Sequence, residues 1–360
     1  MEMNRSLIAG AIVFAGFLVV GRALLCGNHV LMKGDEFLHL PSRRQFLSSA
    51  LLGSSFLSCS QVAQANPTQG FYEVQNQRIF DTSRRSFLPP EPEKLIRNNF
   101  DRRVICVGES HTHPMHHRMQ LKIIEAFNKI NREDQPLAIG LEMFYRQHQN
   151  ALDKYVFRQG TLDQLKRETD WDRTWGFSFA SYCKIFRYAQ KNGIRLVGLN
   201  APTQLMALVG RTGLNELPPP VKELLPEVDL TNAKHQTRFM DKMKSFGNLH
   251  GPLAEDRLMR MYEIQTLWDE YMADSASKYL ENTKEKDGRM IILAGSGHIE
   301  QRDGIPDRIS RRIGEPSFTV VPQDVDWTDF GLPAIEKPLG REYGDWIFYT
   351  ERQIEDAQQA

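Results

Sequence analysis

The run Arg103-Val104-Ile105-Cys106-Val107-Gly108-Glu109-Ser110-His111-Thr112-His113-Pro114 decides the fold. Arg103 to Val107 reads as a strand, continuous in apolar residues from Val104 as a strand buried on both faces requires, and Gly108 lets the chain turn sharply off its end. His113-Pro114 then opens a helix, with proline at the first helical position. Three further runs repeat the apolar pattern: Leu137 to Leu141, Arg195 to Leu199 and Met290 to Ala294. Between them lie helical periodicities at Met115 to Ile130, Gln149 to Arg158, Phe179 to Lys191 and Ala254 to Lys284. Strands alternating with helices at this spacing predict an α/β domain with a mainly parallel central sheet flanked by helices, spanning residues 93–350.

Parallel strands deliver the residues at their carboxyl ends to one edge of the sheet, where open α/β folds place their ligands. Here that edge receives Gly108-Glu109-Ser110-His111, Glu142-Met143-Phe144, Asn200-Ala201-Pro202 and Gly295-Ser296-Gly297-His298. Two of these are Gly-x-x-His turns. The set Glu109, His111, Glu142 and His298 has the chemistry to hold a divalent metal ion, to work as acid and base, or to grip a carboxylate-bearing ligand. The competing reading makes His298 and Glu142 mere caps of loops and helices. His116 and His117 are read as a solvated helix face, because adjacent positions cannot both point at one site.

The 360 residues carry 45 Lys plus Arg against 45 Asp plus Glu, without a long run of either sign, so the basic footprint of a nucleic-acid binder is missing. Residues 1–65 read as an export signal. Ser42-Arg43-Arg44-Gln45-Phe46-Leu47 supplies a twin-arginine pair, Leu51 to Leu57 an apolar segment, and Ala63-Gln64-Ala65 a cleavage site. Upstream, Leu7 to Gly21 is either a membrane anchor or a stretch ahead of a true start at Met32, and Phe56-Leu57-Ser58-Cys59 loosely matches a lipidation site at Cys59. A twin-arginine leader implies a periplasm or a thylakoid lumen. Residues 66–92 read as a linker. Beyond the signal only Cys106 and Cys183 remain, expected as two buried thiols and not a disulfide framework.

Several motifs in order resemble the ChaN-like haem-binding uptake proteins over about residues 95–315. They are Val107 to His117, Gly140-Leu141-Glu142-Met143-Phe144, Asp170-Trp171 to Trp175-Gly176 with Tyr182, Leu199 to Pro202, the helix bearing Gln265, Trp268-Asp269 and Met272-Ala273, and Gly295 to His298. The resemblance implies an exported protein, often a lipoprotein, that dimerises around haem and ligates its iron through tyrosine. The wider superfamily includes Tiki metalloproteases and erythromycin esterases, which use comparable Gly-x-x-His and glutamate positions for hydrolysis. On this reading His111, His113, Glu142, Tyr182, His250 and His298 contact the cofactor. Tyr182 is the first choice of iron ligand, ahead of Tyr145 and Tyr262. Met240, Met243, Met259, Met261 and Met272 offer adaptable apolar surface for a porphyrin, a dimer face or ordinary core. Phe246-Gly247-Asn248-Leu249-His250-Gly251-Pro252 reads as a flexible loop in a helical, lid-like region, with His250 placed to serve a neighbouring subunit's ligand. The alternative is a hydrolase that uses Glu109, His111, Glu142 and His298, with or without a divalent metal.

Overall fold

A computed structural model describes residues 72–73, 78–88, 102–250, 254–325, 334–335 and 339–351. The signal reading of residues 1–65, including Cys59, lies outside them. The strands are β1 (Tyr72–Glu73), β2 (Arg78–Asp81), β3 (Ser86–Phe87), β4 (Val104–Glu109), β5 (Leu137–Tyr145), β6 (Arg195–Asn200), β7 (Arg289–Gly295), β8 (Phe318–Val325), β9 (Ala334–Ile335) and β10 (Trp346–Glu351). The helices are α1 (Pro114–Ile130), α2 (Gln149–Phe157), α3 (Leu162–Glu168), α4 (Trp171–Thr174), α5 (Phe179–Lys191), α6 (Thr203–Thr212), α7 (Pro219–Lys222), α8 (Ala233–His250), α9 (Glu255–Asn282) and α10 (Ile305–Ile313).

The main sheet has eight strands in the order β3-β2-β10-β8-β4-β7-β5-β6. From β10 to β6 every neighbouring pair is parallel, while β2 is antiparallel to both β10 and β3. The expected α/β fold is therefore present, with an antiparallel flap on one side. That flap revises the linker: residues 78–81 and 86–87 pair into the sheet, and Ile79 and Phe80 are buried.

Side-chain alternation along β4 separates two apolar layers. Ile105 and Val107 join α1 and α5 through Ile123, Phe127, Tyr182 and Phe186. Val104 and Cys106 face the other way, against Met272, Ala273 and Ala276 of α9 and Ile305 and Ile309 of α10. A third cluster joins α6, α8 and the first half of α9 around Met206, Phe239, Tyr262 and Leu267. The methionines fall into this ordinary packing: Met243 and Met272 are buried, and Met240, Met259 and Met261 lie partly buried against the third cluster. The segment read as a loop from Phe246 is helical as far as His250, where α8 ends. The side chain of His250 and residues 251–253 lie outside the described region. Cys106 is buried and Cys183 only partly so; both are free thiols. No described helix is long and apolar enough to cross a membrane.

Candidate functional site

All four expected strand ends meet at the carboxyl edge of the sheet. Glu109, the last residue of β4, has no solvent exposure. Its Oε1 accepts from Tyr182 Oη at 2.5 Å and lies 2.7 Å from His111 Nδ1, while Oε2 accepts from Gln120 Nε2 at 2.7 Å. Burial opposes the Glu109 anion, but the His111 bond, the neighbouring imidazole charges and the Tyr182 bond outweigh it and lower the carboxyl to about 2.

With Nδ1 held by Glu109, His111 turns its other edge toward Gly295 and Glu142. A Cβ at Gly295 would stand 3.1 Å from His111 Cε1, 3.2 Å from Nε2 and 3.6 Å from Glu142 Oε2, so glycine is what permits this approach. The outer side of the imidazole is walled by Trp175, at 4.8 Å between centroids, and Phe177, at 4.6 Å. Burial lowers the His111 imidazolium, but the Glu109 hydrogen bond and the Glu142 charge raise it further, so its pKa ends above the ordinary value.

Glu142 lies in the second half of β5, where its Oε2 accepts from Gly295 N–H at 2.6 Å. Asn200, at the end of β6, donates to the Glu142 carbonyl at 2.9 Å and so ties two strand ends together. His298 closes a single 3-10 turn after β7. Its Nε2 is 3.4 Å from Glu142 Oε1, and its Nδ1 is 2.6 Å from Asp269 Oδ1 on α9. Burial would lower this imidazolium, but Glu142 and Asp269 push it up to about 10. His298 is thus held as a cation between two carboxylates and is no mere loop cap.

Beyond it, His235 of α8 is buried with Nε2 at 3.5 Å from Asp269 Oδ2. His235 escapes the sequence reading, and Asp269 enters it only within a family motif and without a role, because both arrive from helices far along the chain. The available signal is an acidic residue on a buried face of α9, in line with Gln265, Met272 and Ala276.

Several expectations need correction. Tyr182 is fully buried and its hydroxyl is committed to Glu109, so in this conformation it is not presented to a porphyrin. Tyr262 is also buried, and Tyr145 bonds Thr203 and the Thr174 carbonyl. His116 and His117 are not a solvated face: both are buried, because the first turn of α1 packs down onto the sheet edge, where polar partners await. His117 Nε2 is 3.0 Å from the His111 carbonyl, and His116 Nδ1 accepts from Ser110 N–H at 2.9 Å. The quartet Glu109, His111, Glu142 and His298 is not drawn to metal-ligand spacing. Among the described residues, the group whose donor atoms come within 4.8 Å of one another is His113, His116 and Asp324.

This edge, with both Gly-x-x-His turns and the glutamate between them, falls inside the span 95–309 that matches the family described as haem-binding uptake, Tiki superfamily, ChaN. The chain belongs to this family. A solved ChaN of Campylobacter jejuni, described as binding heme cofacially, is 20% identical, covers 77% of this chain and 98% of its own, and superposes with a TM-score of 0.59. That likeness supports the fold. Arabidopsis thaliana Protein RETICULATA-RELATED 5, chloroplastic, is 22% identical over 277 residues, which is 72% of this chain and 35% of the relative. The chain therefore spans about a third of that curated relative's length.

Proposed function

We propose that the chain is an exported haem-binding protein of haem or iron handling, with the porphyrin seated at the carboxyl edge of the parallel sheet. The observation that carries this is His111. An imidazole oriented by a carboxylate on one nitrogen and walled by aromatic rings offers what haem requires, a nitrogen donor and flat apolar surface. The donor types therefore fit the group, and because His111 is itself buried among Gly295, Glu142, Trp175 and Phe177, haem would reach its Nε2 only by parting those walls. His111 would face the iron, Trp175 and Phe177 would flank the macrocycle, and haem would supply redox and ligand-binding chemistry when bound. Membership of a haem-binding family supports the ligand class. Tyr182 would join the iron only by leaving Glu109.

The twin-arginine leader supports export to a periplasm or a thylakoid lumen, and the chloroplast designation of the plant relative favours the second. Homodimerisation around haem and membrane association through the N-terminus belong to the same proposal. Its test is a haem titration of the full chain, which should give a saturable Soret band; a flat titration overturns it.

One observation favours a second reading. The line Asp269-His298-Glu142 keeps a protonated imidazole between two carboxylates, which is acid–base machinery. As a hydrolase, the chain would release product from an ester or peptide panel without sensitivity to chelators, and His298→Ala would abolish the release. A panel that yields no product removes this reading.

A further inference from the structure

Beside the edge site, a second histidine cluster joins α1 to the β8–β10 side of the sheet. The rings of His113 and His116 stack with centroids 3.9 Å apart and an interplanar angle of 9°. Both turn Nε2 toward Asp324 Oδ1, His113 at 3.6 Å and His116 at 3.5 Å. Thr350 of β10 completes the group: its hydroxyl donates to Asp324 Oδ1 at 2.8 Å and lies 3.1 Å from His116 Nε2.

The opposite side of each ring decides the chemistry. Ser110 N–H donates to His116 Nδ1 at 2.9 Å, and Met115 N–H donates to His113 Nδ1 at 3.2 Å. A ring nitrogen that accepts a backbone N–H carries no proton, so each ring has room for a proton only on Nε2. Burial holds His116 neutral, lowering its imidazolium more than Asp324 raises it.

The three side chains have the spacing of a metal site. A metal-bound histidine, however, turns its second nitrogen outward as an N–H donor, whereas here that nitrogen is an acceptor on both rings. Binding a cation through both Nε2 atoms would demand two imidazolates. Nearly parallel stacked rings also cannot aim two in-plane lone pairs at one point between them. The cluster donates; it does not ligate.

We propose that His116 is the positioning residue of the site loop: Thr350 and Asp324 fix its Nε2–H tautomer, and its Nδ1 thereby anchors Ser110 N–H, immediately before His111. The arrangement ties the loop to strands that lie outside the residues matching the family, since Asp324 and Thr350 both come after residue 309. β8 and β10 thus set the placement of His111 although neither reaches it. The inference rests on the edge reading only where haem binding serves as its readout; the tautomer is read independently.

The test joins two measurements on the full chain. Long-range proton–nitrogen NMR of the imidazoles at neutral pH should show His116 protonated at Nε2 alone; a proton on Nδ1 overturns the proposal. Substitution then separates the two ends of the ring, because an asparagine amide oxygen can replace the Nδ1 acceptor and a glutamine amide nitrogen the Nε2 donor. His116→Gln, which loses the Nδ1 acceptor, should weaken haem binding about tenfold or more, the scale of a buried backbone hydrogen bond left unmade, and His116→Asn, which keeps that acceptor but loses the Nε2–H held by Asp324 and Thr350, should weaken it less. The reverse order, or equal losses, overturns it. Zinc added to the apo chain should not bind stoichiometrically in a way that His116→Asn and Asp324→Asn both remove; such binding would establish a metal site and overturn the proposal. If wild-type chain binds no haem, the haem reading fails and the NMR and zinc measurements still decide this one.

Discussion

Tyr182 and Glu109 meet in a 2.5 Å hydrogen bond, phenol to carboxylate, with neither group exposed to solvent. The bond closes one side of the edge site. It gives Glu109 a third donor, beside His111 on the same oxygen and Gln120 on the other.

Removing the phenol should therefore cost stability and not ligand binding. Tyr182→Phe withdraws one donor from a buried anion, a loss of about 1.5–3 kcal/mol. Urea unfolding should show that loss, while the Soret titration keeps its midpoint. A midpoint weakened tenfold or more with stability unchanged would return Tyr182 to the iron.

Gly295 makes a different prediction. A methyl group at this position meets His111 Cε1 at 3.1 Å and Nε2 at 3.2 Å and has no flexible chain end to push aside. Gly295→Ala should displace the imidazole at a cost of about 1–3 kcal/mol and weaken haem binding, with the far-UV circular dichroism preserved. Unchanged affinity would mean that His111 does not contact the ligand.

Much of this site is legible in the sequence, and the physical reason is locality. β4, β5, β6 and β7 each contain a continuous apolar run, and Glu109, His111, Glu142 and His298 lie on these strands or within three residues of their ends. β8 escapes because Pro322, Gln323 and Asp324 interrupt its apolar pattern, and β2 and β3 are too short for a period to emerge. Asp269, His235 and Asp324 owe their places to tertiary packing alone. The burial of His116 and His117 is missed by the rule that adjacent helical residues diverge. They do diverge, one to Asp324 and Thr350 and the other to Glu109 and the His111 carbonyl, but both directions lead into protein.

Two histidines on either side of Asp269 should give stability a dome-shaped pH dependence. Burial holds His235 down at about 4, below the unfolded value of 6.5, so the unfolded chain takes up the proton first and stability falls as pH drops from 6.5 through 4. His298 does the opposite. Burial would lower it, yet Glu142 and Asp269 raise it to about 10, so its contribution is complete below 6.5 and fades as pH rises through 10. Urea midpoints across this range should fall on both sides. His298→Gln should flatten the alkaline limb and His235→Gln the acid limb; limbs that ignore both substitutions would refute the assignment.

The loop anchored by Ser110 should also be the slowest part of the edge to exchange. The Ser110 amide, buried and bonded to His116 Nδ1, is expected to be protected from hydrogen exchange, and Asp324→Asn should cut that protection by about tenfold or more by loosening the ring behind it. Equal protection in the two proteins would show that Asp324 does not act on the loop.

The central claim, that haem sits against His111 at the carboxyl edge of the sheet, is tested most directly by titrating haem into the full chain and into His111→Ala while monitoring the Soret band. The account predicts a saturable band in the first and an affinity weakened about tenfold or more in the second. A flat response from the full chain, or superimposable curves from the two proteins, would contradict it.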